Sequence, residues 1–229
     1  MSAGAQFHEE IANTWTEGYQ SGSFLRRLQL FQGLIRSSVA AGTSWLDLGC
    51  GSGVLTQEIL QCQPARIIAV DGSRSMLEHA KETLGQRVSG TRMDWHLADV
   101  SALPFIDSEC LDGVLCSSVI EYLVDPTDSL KEMRRTLRPG GRLLISAPIS
   151  TSVVRRAQKL VRACGRLMGK DLYRYLEVSR FDIPRRGATA LLGPHGFRVV
   201  EQHYFDPFLS PVAQGILDPA LLVVVAEAQ

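Results

Sequence analysis

The stretch Trp45-Leu46-Asp47-Leu48-Gly49-Cys50-Gly51-Ser52-Gly53 decides the fold of this chain. A short apolar run enters three glycines at alternate positions, and the following residues, Val54–Gln61, space their apolar side chains three and four apart. The pattern predicts a strand, a tight turn and a helix. Glycines permit such a turn and let a ligand lie against bare backbone at the carboxyl edge of a sheet, although a glycine loop alone can be no more than a tight connection.

Outward from this unit, strand-like runs recur at Ile67–Val70, Trp95–Ala98, Leu111–Cys116 and Arg142–Ser146, with amphipathic stretches at Ser75–Leu84 and Asp128–Leu137. Apolar strands alternating with helices predict a parallel sheet covered on both faces. Pro139-Gly140-Gly141 reads as the stop of the helix before Arg142–Ser146. After Gly196, two more strand-like runs, Phe197–His203 and Leu221–Ala226, flank a proline-containing loop with little room for a crossover helix, so they are expected to pair antiparallel. The fold class is therefore α/β: a doubly wound, Rossmann-like seven-stranded sheet, mostly parallel with an antiparallel C-terminal strand, and a helical cap inserted after the fifth strand. The expected organisation is an N-terminal helical segment over the ligand site (residues 1–42) and one main domain (43–229) carrying the cap insert 150–193.

Composition bounds the function. The chain has 229 residues, 45% of them hydrophobic, and 24 basic residues cancel 24 acidic ones. Disordered, collagen-like and disulfide-scaffold classes are excluded, and a nucleic-acid partner is not expected. The five cysteines, Cys50, Cys62, Cys110, Cys116 and Cys164, form no C-x-x-C or zinc-type spacing and read as reduced packing thiols, which suggests a cytoplasmic address. No metal site is expected. The first 19 residues hold three glutamates and no apolar core, and the longest apolar run is the seven residues Ala220–Ala226, so neither a signal peptide nor a transmembrane segment is expected.

Three acids narrow the ligand. A dinucleotide fingerprint laid on Gly49 and Gly51 requires a third glycine where Val54 stands. Asp47, two residues before the first glycine, would repel a pyrophosphate but favour an ammonium or sulfonium. Asp71 ends the next strand, where a carboxylate can accept from ribose hydroxyls; it could instead cap the following helix, a task open to Ser73 as well. Asp99, after the third strand, could accept from an adenine amino group while the Val100 N–H donates to the ring, or be an ordinary loop acid.

With Leu-Asp-Leu-Gly-Cys-Gly-Ser-Gly at 46–53, Val-Asp-Gly-Ser at 70–73, Ala-Asp-Val at 98–100, Leu-Asp-Gly-Val-Leu-Cys-Ser-Ser-Val-Ile-Glu-Tyr-Leu at 111–123 and Leu-Arg-Pro-Gly-Gly-Arg-Leu-Leu-Ile-Ser at 137–146, the chain resembles the class I S-adenosylmethionine-dependent methyltransferases, in the small-molecule branch that includes ubiquinone-type O-methyltransferases. The resemblance implies S-adenosyl-L-methionine as cofactor. It implies that Gly49 and Gly51 meet its methionine part, Asp47 its amino group directly or through water, and Asp71 its ribose. Gly72 and Met76 would then surround the adenine or ribose, Asp99 and Val100 the adenine edge, and Ser117 the methionine end. Arg27 is the candidate for the cofactor carboxylate, with Arg26 and Tyr19 as rivals. Where related sequences often read Leu-Glu-His, this one has Ile120-Glu121-Tyr122, and no catalytic role is assigned there. The Asn/Asp-Pro-Pro-Tyr signature of amide and adenine-amine methyltransferases is absent from 116–119.

The expected reaction is in-line displacement of the sulfonium methyl by a small-molecule acceptor, a hydroxyl being favoured, without metal. His8, His195 and His203 are the candidate bases. A cofactor-binding protein without transferase activity and an NAD-dependent oxidoreductase are the alternatives. The acceptor should be read from the cap, where Val153, Val154, Ala157, Leu160, Val161, Cys164, Leu167 and Met168 form an apolar stripe and Arg155, Lys159, Arg162, Arg166 and Lys170 a basic one. From Arg155 to Arg186 ten basic residues face three acidic ones. The basic side is either the solvated face of a lid packed through its apolar stripe, or a surface for an anionic or lipid-linked acceptor or an anionic membrane.

Overall fold

The structure, a computed structural model, describes residues 3–15, 22–85 and 90–229. The seven strands among the described residues are β1 (Ser44–Leu48), β2 (Arg66–Asp71), β3 (Arg92–Leu97), β4 (Leu111–Cys116), β5 (Leu137–Pro148), β6 (Phe197–Phe205) and β7 (Leu221–Ala228). They lie side by side in the order β3-β2-β1-β4-β5-β7-β6. The first five run parallel, and β7 lies antiparallel between β5 and β6. Helices connect them: α1 (Ala3–Trp15), α2 (Gly22–Ser38), α3 (Val54–Gln61), α4 (Arg74–Leu84), α5 (Thr127–Thr136), α6 (Val153–Leu167), α7 (Tyr175–Val178), α8 (Ala188–Leu192) and α9 (Pro211–Ile216).

Side-chain alternation along β1 explains the two layers. Trp45 packs with Phe31 and Ile35 of α2 and Ile59 of α3, whereas Leu46 and Leu48 join Leu130 and Met133 of α5 and Leu192 of α8 on the other face. Because β2 and β4 flank β1 on opposite sides, the chain reverses its winding direction there and leaves a crevice at the carboxyl ends. The glycine loop stands at that crevice.

Trp45 also explains a glycine inside β4. It is in register with Gly113, where an added Cβ would lie 2.3 Å from the indole ring. Gly113→Ala should therefore destabilise by about 1–3 kcal/mol through overpacking. Gly33→Ala in α2, where an added Cβ meets nothing within 4 Å, should instead stabilise by about 0.5–1 kcal/mol. Thermal unfolding of the two variants should move in opposite directions; an unchanged midpoint for Gly113→Ala would mean that Trp45 yields.

Three expectations are corrected. Pro139-Gly140-Gly141 does not stop a helix: α5 ends at Thr136 and β5 begins at once, pairing Leu137 with Leu111 before a shift in register brings Arg142 opposite Gly113. The motif is an irregularity within the strand, with Gly140 at φ +79°. Cys164 is exposed rather than packed, whereas Cys50 and Cys116 are buried; all five thiols are free.

The third correction concerns α6. Its inward residues are Arg155 and Arg162, only 9% and 7% exposed, while Leu160 and Leu167 are 67% and 90% exposed. The helix is turned about its axis from the orientation its amphipathicity suggests. Its partners explain why. Arg155 donates to the Ser179 hydroxyl (2.9 Å), and Arg162 donates to the Leu172 carbonyl (3.0 Å) and pairs with Asp171 and Glu177. The segment that folds back after α6 thus offers polar partners rather than an apolar floor, and buried guanidinium groups need such partners.

Candidate cofactor and acceptor site

Three consecutive odd-numbered glycines make the turn after β1. Gly49, Gly51 and Gly53 all have positive φ, at 78°, 53° and 82°, a region that favours glycine. At Gly49 a Cβ would also stand 2.2 Å from the Val119 side chain. The loop is then fixed by a carboxylate from the neighbouring strand. Asp71 accepts the Gly51 N–H at 2.7 Å through Oδ2 and the Ser73 N–H at 2.8 Å through Oδ1. Ser73 itself caps α4, its hydroxyl accepting the Met76 N–H at 3.1 Å. Asp71 is therefore not the cap, and each of its oxygens can still accept a further hydrogen bond.

Around this loop lies a chamber of about 380 Å³ that brings together all ten residues singled out from the sequence: Arg27, Asp47, Gly49, Gly51, Asp71, Gly72, Met76, Asp99, Val100 and Ser117. The Asp47 carboxyl receives the Thr56 hydroxyl at 2.6 Å. Arg27 donates to the Ser117 hydroxyl at 2.6 Å, whereas Arg26 turns to the Pro207 carbonyl; Tyr19 falls outside the described residues. Asp99 holds a local turn through Oδ1, which accepts the Ser101 N–H (2.9 Å) and hydroxyl (2.6 Å).

Helix α1 closes this chamber. Gly4, Ala5 and His8 line it, and Glu9 ties the helix down by accepting the Ser73 and Ser75 hydroxyls, each at 2.6 Å. Those hydroxyls hold the Glu9 carboxyl below the usual carboxylate range. His8 lies edge-on to Tyr122 with centroids 4.8 Å apart, its Nδ1 2.7 Å from the Gly4 carbonyl, and burial lowers its pKa. Among the candidate bases, His195 and His203 line neither this chamber nor the next.

A second chamber of about 570 Å³ adjoins the first, sharing Arg27, Ser118 and Tyr122 with it. Phe7, Phe24, Phe205 and Tyr175 supply its apolar wall; Arg155 adds a positive charge, while Arg174 is paired with Asp171 and Glu10. Two features mark the junction. Ser118 has φ +56°, rare for a non-glycine, and its N–H is held by the Ser146 hydroxyl at 2.9 Å; strained backbone of this kind concentrates at functional sites. Glu121 is buried in the wall with Oε2 unpartnered among the described residues, and burial raises its pKa against the pull of Arg27 and Arg155. Only its place in an Ile-Glu-Tyr triplet after the fourth strand signalled it.

Burial makes Asp47 a proton store. Its pKa is pushed up to about 7 by desolvation, against the Thr56 hydrogen bond and with help from the Asp71 charge. The folded chain thus keeps a proton that the unfolded chain loses near pH 4. Stability from this group is full below that pH and is lost as pH rises through about 7. Asp47→Asn keeps an acceptor for Thr56 and removes the titration, so the loss of stability between pH 5 and 8 in urea unfolding should be smaller in the variant. Equal slopes would show Asp47 ionised in the folded chain.

The comparisons agree with this geometry. Residues 46–145 match a family model described as a methyltransferase domain. The ubiquinone/menaquinone biosynthesis C-methyltransferase of Klebsiella pneumoniae is 30% identical over 179 residues, 73% of this chain and 71% of that protein. The biotin biosynthesis bifunctional protein of Teredinibacter turnerae is 32% identical over 171 residues, 69% of this chain but 30% of that protein. The chain spans less than half the length of several curated relatives it matches. In fold, it is similar to magnesium protoporphyrin IX methyltransferase from Synechocystis with bound SAH, at TM-score 0.70 and 13% identity, covering 99% of this chain and 100% of that one. With the glycine loop, the strand-end aspartate and the antiparallel terminal strand all in place, the chain belongs to the class I S-adenosylmethionine-dependent methyltransferases.

Proposed function

We propose that the protein transfers a methyl group from S-adenosylmethionine to a hydroxyl of a small, partly apolar, anionic acceptor. The observation that carries this reading is the junction of two chambers, one built around the Asp71-anchored glycine loop and the other holding the buried Glu121. The residues of the first chamber suit the cofactor: Asp71 can accept from ribose hydroxyls, Asp47 in its ionised form complements an ammonium, and Arg27 complements a carboxylate. Gly49, Gly51, Gly72, Met76 and Val100 give it close, largely apolar walls, and Asp99 and Ser117 supply polar ends.

When bound, the cofactor supplies a sulfonium methyl that is already a good electrophile. The chain's task is to align the incoming oxygen and exclude water. Phe7, Phe24 and Tyr175 hold the acceptor body, and Arg155, which enters no ion pair among the described residues, attracts its negative charge. Glu121 takes the hydroxyl proton as the new O–C bond forms, leaving a methyl ether and S-adenosylhomocysteine. A carboxylate raised by burial is a better base than a solvated one at neutral pH.

Incubation with radiolabelled methyl donor and a metabolite extract tests this. Label should enter an alkali-stable small molecule identified by mass spectrometry as a methyl ether. Label in a carbon- or nitrogen-methyl product would overturn the hydroxyl assignment, and no transfer from extracts of several sources would overturn the transferase reading.

A further inference from the structure

We propose that the outward face of α6 docks the protein on an anionic lipid bilayer. The inference does not depend on the transfer reaction. It begins from the inverted helix: with Arg155 and Arg162 turned inward, Leu160, Val161, Leu167 and Met168 are left 67%, 45%, 90% and 66% exposed. Turns of the helix align these side chains with Val153, Ala157 and Cys164 along one face. A water-facing cap gains nothing from this arrangement, because exposed apolar surface of such extent marks an interaction site.

Charge selects the occupant. Arg156, Lys159, Arg166 and Lys170 flank the apolar stripe, and Arg156, Lys159 and Lys170 enter no ion pair among the described residues. An apolar stripe bordered by lysine and arginine fits the boundary between acyl chains and anionic headgroups. A second copy of the chain, paired twofold through this face, would bring the same basic border against itself. The same helix also borders the second chamber. Arg155 and Gln158 on the inner side of the same helix line the second chamber, and so does Phe208, which is 71% exposed at its rim.

Co-flotation of the full chain with vesicles tests the proposal, comparing phosphatidylcholine alone with phosphatidylcholine containing phosphatidylglycerol. The wild type should bind the anionic vesicles, bind the neutral ones at least about tenfold more weakly, and release as salt shortens the range of charge attraction. Leu160→Asp/Leu167→Asp should lower binding by about tenfold or more with an unchanged unfolding midpoint, since both positions face solvent. Lys159→Glu/Lys170→Glu should remove the preference for anionic vesicles. The proposal is overturned if the wild type ignores anionic vesicles or if the leucine variant binds them as well as wild type. It is equally overturned if the leucine variant loses only a concentration-dependent dimer or only the capture of an acidic protein, which would assign the face to those occupants. Arg155 and Arg162 are unsuitable test positions, because their buried guanidinium groups hold the cap together.

Discussion

Asp71→Ala should weaken binding of S-adenosylmethionine and S-adenosylhomocysteine by at least about a hundredfold. The carboxylate has two kinds of work. It accepts the Gly51 and Ser73 N–H groups, fixing the glycine loop against the end of β2, and it retains acceptor capacity for ribose hydroxyls. Hydrogen bonds to a charged group contribute about 1.5–3 kcal/mol each, so loss of the ribose contacts alone accounts for the expected change. Two stranded backbone donors in the loop add to it. The strands and their core remain, so far-ultraviolet circular dichroism should match wild type. Asp71→Asn should be nearly as damaging, because an amide offers one acceptor and turns its NH₂ toward the other backbone donor. Calorimetric affinity within threefold of wild type for the alanine variant would remove Asp71 from the site.

Glu121→Gln should lower kcat by about 10²–10⁴ while leaving cofactor affinity unchanged. The variant preserves shape, and the backbone carbonyl of residue 121 still accepts the Arg180 and Phe181 N–H groups, so the cap stays attached. Wild-type rate should rise with pH as Glu121 loses its proton above the ordinary carboxylate range, and the glutamine variant should lack that limb. A variant with unchanged kcat and an unchanged pH profile would reduce Glu121 to a packing residue.

The contrast between these two carboxylates shows what sequence carries. The position of Asp71 beside the glycine loop was legible because it is set locally: a strand end, a fixed distance to that loop and a serine available as the helix cap all lie within a short stretch. The sheet was legible for the same reason, through apolar runs and the alternation of strands with amphipathic helices. Glu121 was not, because its meaning depends on Arg27 and Arg155 from distant elements and on a chamber assembled by α1, α6 and the loop after β6. The cap helix shows the limit most plainly. Its stripes were visible, but which stripe faces inward is decided by Asp171, Leu172, Glu177 and Ser179, which return beneath the helix with polar groups. Local periodicity fixes the stripes of a helix, and tertiary partners fix its rotation.

Net neutrality has a related explanation. The acids Asp47 and Asp71 are held in the sheet around the glycine loop, while the cap concentrates arginine and lysine. No described helix is long and apolar enough to cross a membrane.

The most direct test of the central claim is isothermal calorimetry of the full chain with S-adenosylmethionine, S-adenosylhomocysteine and NAD. Saturable one-to-one binding of both sulfur ligands with no detectable heat from NAD is predicted. Preference for NAD, or no binding of either sulfur ligand, would contradict the assignment of the Asp71-anchored chamber.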